Sequence, residues 1–137
     1  MIEISTDKSR LDIDTIHRYL SEEAYWSRGI SRELVERAIE HSLCFAAYDD
    51  GRQVAFARVV TDYATFGYLA DVFVLPSHRG SGVGKMLMRA VMKHPELQRL
   101  RRWMLVTRDA HGLYRQFGWN DVAAPERMME IVVKNPY

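Results

Sequence analysis

Residues 68–93, YLADVFVLPSHRGSGVGKMLMRAVMK, limit the possible folds more than any other part of the sequence. The run from Phe66 to Pro76 is almost continuously apolar, as a strand covered on both faces is, and Pro76 ends it because proline has no amide to offer a ladder. From Val83 onward, Val83, Met86, Leu87, Ala90 and Val91 recur at helical spacing, with Lys85, Arg89 and Lys93 outside them. A second strand-like run, RRWMLVT, follows at 101–107. Strand, helix and strand in that order predict a right-handed parallel crossover. Gly80, Gly82 and Gly84 stand at the strand-to-helix junction, and glycine in a helix interior costs about 1 kcal/mol against alanine. A junction that gives up that much helix stability needs a compensating use for its backbone.

Upstream, a short strand is predicted at Ile2–Ser5, and Leu11, Ile13, Ile16 and Leu20 fall on one face of a first helix. A second helix begins at Ser31, a capping residue with Glu33 and Glu36 nearby, and carries Leu34, Val35, Ala38 and Ile39 at core spacing. The aromatic and charged connector EEAYWSRG joins the two. SLCFAAYDDGRQVAFARVVTD reads as two strands joined across Asp49, Asp50 and Gly51, because Asp-Gly supplies the positive φ of a hairpin turn. Downstream, DAHGLYRQFG reads as a short helix capped by Asp109 and stopped by Gly118, and MMEIVV as a final strand. With no repeat, linker or low-complexity tract, residues 1–137 are expected to form a single domain.

The glycine junction admits three readings as an anion site, since free amides and the helix dipole there converge on one spot. A P-loop fails, because counting back from Gly84-Lys85 puts Arg79 at its first glycine and Met86 at its magnesium hydroxyl. A dinucleotide-binding G-x-G-x-x-G fails, because Lys85 occupies its last glycine and an antiparallel hairpin precedes it. What remains is R-x-x-G-x-G, formed by Arg79, Gly82 and Gly84. With VFVLP before it, LYRQFGW at Leu113–Trp119 and the element order from the first residue, the chain resembles the GNAT superfamily of acyl-CoA-dependent N-acyltransferases over nearly its whole length.

That resemblance implies an α/β (α+β) fold, a mixed and mostly antiparallel sheet with a central splayed parallel strand pair, flanked by helices. It implies that backbone amides of Arg79, Gly80, Ser81, Gly82, Val83 and Gly84 cradle the pyrophosphate of acetyl-CoA (coenzyme A), with charge from Lys85 or Arg79 beyond them. Val72, Phe73 and Val74 would lie along the pantetheine arm, in the wedge whose other side ends at Thr107. Tyr114, four residues before Gly118, matches the family's proton donor to the departing thiolate, and an amide near Val74 its oxyanion donor. Many relatives carry asparagine where Thr107 stands here, a departure at one cofactor contact that leaves Thr107 and Asp109 as candidates to cap the following helix instead.

Acyl transfer to an amine requires a neutral nucleophile, and lowering an amine of pKa about 10.4 to pH 7 costs roughly 4 to 5 kcal/mol. Asp71, a carboxylate in an apolar strand, is either the base, directly or through water, or the partner of Arg58 or another arginine on the neighbouring strand, and Tyr68 is a candidate for a water relay. Tyr114 is open to a packing reading with Leu113 and Phe117. Acceptor recognition would fall to Tyr25, Trp26 and Arg28 and to Asp62, Tyr63, Phe66 and Tyr68, although exposed aromatics equally suit a homodimer interface. The expected reaction is transfer of acetyl to the amine of a small molecule by direct attack in a ternary complex. A non-enzymatic acyl-CoA sensor or interaction module with the same fold is the rival.

A net charge of +1 implies neither nucleic acid nor a membrane surface as partner. The single cysteine, Cys44, sits in an apolar run and reads as a packed small hydrophobe. The N-terminus lacks an apolar signal region, so a cytoplasmic location is expected. His17, His41, His78, His94 and His111 lack ligand spacing, and no metal is expected.

Overall fold

The computed structural model describes residues 1–137. One sheet carries β1 (Ile2–Ser5), β2 (Leu43–Asp49), β3 (Arg52–Thr61), β4 (Phe66–Val74) and β5 (Arg102–Leu105) side by side in sequence order. The first three pairings are antiparallel and the last, β4 with β5, is parallel. The helices are α1 (Ile13–Arg18), extended by a π turn at Tyr19–Glu23, then α2 (Arg32–Glu40), α3 (Val83–Lys93) and α4 (His111–Arg115). Asp12 caps α1 by accepting from the Thr15 amide, and Ser31 caps α2 by accepting from the Leu34 amide. Asp50 and Gly51 take φ of 48° and 83°, which closes the β2–β3 hairpin as Asp-Gly chemistry predicts.

Side-chain alternation divides the interior into two layers. One core packs Phe45, Val54, Ala55, Ala57 and Leu69 against Val83, Leu87, Met88 and Val91 of α3. The other packs Cys44, Phe56 and Phe73 against Ile16, Leu20, Val35 and Ile39 of the first two helices. Neighbouring residues such as Cys44 and Phe45 thus serve opposite faces, the period of two that a doubly covered strand requires. Burial pushes the Cys44 thiol up to about 11, so this cysteine is packed and protonated, not reactive.

Pairing of β4 with β5 runs from Phe66–Arg102 to Leu69–Leu105 and goes no further, although β4 continues to Val74. At the same point the β3–β4 register shifts: Arg58 faces Ala70 and Phe56 faces Phe73, leaving Asp71 and Val72 opposite Ala57 alone. This is a β-bulge, with Asp71 at φ 54°, and a bulge bends its strand and sharpens its twist. The two parallel strands therefore part immediately beyond Leu69, and the β5-facing edge of Ala70–Val74 is left unpaired.

Three expectations are corrected. MMEIVV at 128–133 forms no strand, so β5 is the edge of the sheet. Strand β5 spans only Arg102–Leu105 of the seven residues 101–107. Helix α4 takes no side-chain cap from Asp109; instead Thr107 Oγ1 accepts from the Ala110 amide, fixing the turn one step earlier. Leu87 anchors α3 directly below the glycine junction and is fully buried. We expect Leu87→Ala to cost about 3 kcal/mol through lost transfer energy and a residual cavity, read as a lowered urea midpoint at unchanged slope.

Candidate active site

The segment between β4 and α3 is held from below and left open above. His78 binds Asp49 at 2.8 Å and Ser77 at 2.8 Å, while Ser81 Oγ donates to the His78 carbonyl at 2.6 Å. Arg79 is committed to the protein itself: its Nε donates to the Val74 carbonyl at 3.0 Å and a guanidinium nitrogen to the Tyr19 hydroxyl at 2.8 Å. Gly80 and Gly82 lie at φ 77° and 86°, where L side chains are disfavoured, and Gly82 is the residue from which α3 starts. Around these anchors, the amides of Gly80, Ser81, Gly82, Val83, Gly84 and Lys85 have no acceptor within the protein. The Arg79 amide differs, donating to the Pro76 carbonyl at 3.4 Å, so the open donors run from 80 and not from 79.

Of the β4 residues singled out from the sequence, Phe73 turns its ring away, stacking on Tyr19 at 4.1 Å in the helix-side core. Val72 and Val74 pack partly buried against the α3 core, and the Val74 carbonyl is already taken by Arg79. Val83 is fully sequestered as a side chain while its amide stays free.

The parted strands open into a cleft of about 760 Å³, lined mainly by apolar side chains from both helices of the N-terminal half, β4, the end of β5 and α4. Tyr114 borders it. Its ring belongs to the α3-side core and the residue is only 8% exposed, yet its hydroxyl has no hydrogen-bond partner. Burial, with smaller contributions from Tyr25 and Asp109, pushes this phenol up to about 12. Such a group stays protonated and can donate, but cannot serve as a base near neutrality. The packing and catalytic readings of Tyr114 thus concern different atoms of one residue.

Asp71 is held as the pairing reading expects. Its Oδ2 accepts from Arg58 Nε at 2.8 Å and its Oδ1 from Trp26 Nε1 at 3.0 Å, with Arg58 also donating to Ser42 Oγ. Both carboxylate oxygens are engaged, so Asp71 ties the bulge to the neighbouring strand and to the connector between α1 and α2. Tyr25 is fixed in turn, its ring under the Arg108 guanidinium at 3.8 Å and edge-on to Trp26 at 5.1 Å.

Of the proposed acceptor residues, Tyr25, Trp26 and Tyr68 line the cleft; Arg28, Asp62, Tyr63 and Phe66 do not. Arg28 donates to the Glu22 carbonyl. Asp62 accepts from the amides of Ala64 and Thr65 and from the Thr65 hydroxyl, which holds its carboxyl well below the usual range and makes it the organiser of its own loop. Residues that sequence reasoning missed include Arg37, His41 and Asp109, with Tyr137 at the edge. The first two lie in and just after α2, where periodicity identifies a core face but not which polar neighbours flank a cleft.

A family model described as the acetyltransferase (GNAT) domain matches residues 40–121, more than half of the chain. A candidate acetyltransferase of Gibberella zeae is 32% identical over 86% of this chain and 78% of its own. The crystal structure of a candidate GNAT-family acetyltransferase from Xanthomonas campestris pv. campestris is 57% identical, with a TM-score of 0.98 over 100% of this chain and 96% of that one, so the overlay takes in residues 128–137. A candidate acetyltransferase of Clostridium acetobutylicum, solved with acetyl-CoA, shares the fold at a TM-score of 0.66 over 96% of both chains and 14% identity. The protein belongs to the GNAT family of acetyltransferases and is an acyltransferase of that family. No helix is long and apolar enough to cross a membrane.

Because folding raises the Tyr114 pKa, the folded state holds this proton more tightly than the unfolded chain. Its stabilising effect is complete below about pH 10 and disappears as pH rises toward 12. Titration of phenolate absorbance, wild type minus Tyr114→Phe, should show one tyrosine ionising close to pH 12. A difference curve centred at the ordinary value for tyrosine would contradict the assigned environment.

Proposed function

We propose that the protein transfers the acetyl group of acetyl-CoA to the amine of a small molecule by direct attack in a ternary complex. The observation carrying this reading is the run of six acceptor-less amides, Gly80–Lys85, in the turn that leads out of β4, the strand whose pairing with β5 stops at Leu69. Amides without internal partners at a helix start suit a diphosphate, and the αL glycines leave open space where any side chain would stand: a Cβ built on Gly80 or Gly82 meets nothing within 4 Å. Bound there, acetyl-CoA supplies the activated thioester whose acyl group is transferred.

The chain's own residues divide the remaining work. Gly80, Ser81, Gly82, Val83 and Gly84 hold the diphosphate through main-chain donors, and exposed Lys85 adds a positive charge nearby. Arg79 acts through the backbone, pinning the Val74 carbonyl so that the strand end and the turn keep a fixed relation. The β5-facing edge along Val72, Phe73 and Val74, apart from the Val74 carbonyl that Arg79 occupies, offers peptide groups to an extended amide-bearing arm, as an additional strand would. Tyr114 donates a proton from its unpartnered hydroxyl to the leaving sulfur, a role that a phenol held up at about 12 can fill throughout the neutral range.

The acceptor enters from the α1–α2 side, between Tyr25, Trp26 and Tyr68, whose aromatic walls suit a compact organic amine. Asp109 lines the same cleft near Tyr114, with its side chain largely in solvent, and attracts an ammonium group to that end. Asp71 contributes by position alone: both of its oxygens are occupied in holding Trp26 and Arg58.

Thiol release from acetyl-CoA across amino acids, polyamines, aminoglycosides and peptide N-termini tests the reading. On the best acceptor, Tyr114→Phe should lower kcat about a hundredfold while coenzyme A affinity stays within about twofold. Unchanged turnover removes Tyr114 from the chemistry, and tight cofactor binding without turnover on any amine favours a sensor. A second comparison isolates the phosphate turn. Gly82→Ala and Gly51→Ala place the same methyl at φ 86° and 83° in open space, each at a strain of about 1 kcal/mol. Calorimetry should find coenzyme A affinity reduced at least about tenfold in the first and unaltered in the second.

A further inference from the structure

The acceptor side of the cleft carries charge that its aromatic walls do not account for. Leu34, Arg37, Ala38 and His41 recur at helical spacing in a stripe beside the core residues Val35 and Ile39, and all four line the cleft. Leu34 and Ala38 make that stripe apolar at its centre, while Arg37 and His41 bring it donors. Arg37 makes no ion pair, not even with Glu33 or Glu40, its close neighbours along the helix. Arg32 on the same helix is, by contrast, held by Asp14 and Glu36. His41 approaches only Glu40, at 4.0 Å, with both side chains largely in solvent.

A second guanidinium stands beside this stripe. Arg58 of β3 lines the cleft with its side chain 17% exposed. Its Nε is taken by Asp71 at 2.8 Å and its Nη1 by the Ser42 hydroxyl at 3.2 Å, while Nη2 has no acceptor. Ser42 in turn donates to the Ala38 carbonyl at 2.7 Å, which ties Arg58 to the last turn of α2, where Arg37 stands. Two guanidinium groups with spare donors at one wall suit an anion, and their planar forks match a carboxylate. Asp71 already neutralises Arg58, so Arg37 is the permanent charge of the α2 wall that lacks a counter-charge. That balance suits one carboxylate better than a phosphate, which carries nearly two charges. Asp109 lines the cleft from another wall, just before α4, whose Tyr114 packs in the opposite core.

We propose that the acceptor is an amino-carboxylate: its carboxylate pairs with Arg37 and the free arm of Arg58, and its amino group enters on the Asp109 side. This rests on acetyl transfer to a small amine in this cleft, and it narrows that acceptor to one charge pattern. An amine without an acid group leaves Arg37 unpaired, and a diamine brings a second ammonium group against it, which selects against both. The carboxylate takes no part in bond making, so its contacts are equal in the ground and transition states and act on KM.

Matched pairs test this, each an amino acid and the amine left when its carboxylate is removed: lysine and cadaverine, phenylalanine and phenethylamine, 5-aminopentanoate and butylamine. Thiol release from acetyl-CoA should favour the carboxylate member of at least one pair by about thirtyfold or more in kcat/KM. Arg37→Gln should cut that preference at least about tenfold through a higher KM for the carboxylate member, and Arg37→Lys, which keeps the charge without the fork, should restore part of it. Arg32→Gln removes the same charge from the same helix outside the cleft and should keep the preference. Binding is read apart from turnover: the Nε–H signals of Arg37 and Arg58 in NMR spectra of the protein should move with the carboxylate member and hold still with its partner. That binding pattern without turnover on any amine upholds the charge assignment and contradicts acetyl transfer alone. Turnover with no preference in any pair, a preference that survives Arg37→Gln, or stronger use of phosphoethanolamine than of any carboxylate overturns the proposal and leaves acetyl transfer standing. Neither binding nor turnover with any member contradicts both.

Discussion

Backbone pairing between β4 and β5 ends at Leu69 and Leu105, and the functional half of the molecule is built around that separation. A strand edge inside a folded sheet is ordinarily a liability, because its amides and carbonyls have lost water without gaining a partner. Here the separation is imposed by the bulge at Asp71, whose positive φ is costly for a non-glycine residue. The cost is offset by a partly buried ion pair to Arg58 and a hydrogen bond from Trp26. One carboxylate therefore stabilises the distortion that opens the cleft and positions an aromatic ring on the cleft's far wall. Strand geometry and the aromatic wall of the cleft are coupled through a single residue.

The glycine turn shows a second division of labour. Its side chains are spent on holding the turn: Arg79 reaches the Val74 carbonyl and Tyr19, Ser81 reaches the His78 carbonyl, and Val83 fills the core. Its amides from Gly80 to Lys85 are spent on nothing internal. A helix that begins with bare amides and αL glycines is poorly made as a helix, and Leu87, Met88 and Val91 compensate by tertiary packing. That is why local propensity can be surrendered at the N-terminus of α3 while the remainder of the helix is secure.

Much of this was legible in sequence because it depends on local pattern. The hairpin at Asp50-Gly51, the apolar β4 run, the α3 stripe and the stop at Gly118, which lies at φ 90°, are all set by neighbours within a few residues. What escaped was decided at long range. Asp71 pairs with residues 13 and 45 positions away, and Arg79 with one 60 positions away, so neither attachment leaves a mark in spacing. Asp62 looked like an exposed recognition group and is the local knot of its own loop. Residues 128–133 carry a strand's alternation, yet alternation specifies a face and not a partner, and no strand of this chain pairs with them. Arg37 and His41 reach the cleft from α2 and the residue just after it, on a stretch where periodicity marks only the core face.

The proposed function requires that the main-chain donors of Gly80–Lys85, which have no acceptor within the protein, engage a diphosphate. Residue-resolved amide exchange of the protein with and without coenzyme A addresses this directly. The account predicts fast exchange at Gly80–Lys85 in the free protein, slowed at least about tenfold at saturation, with the α3 amides beyond Met86 protected in both states. Slow exchange at these six positions before ligand is added, or no change after saturation, would contradict it.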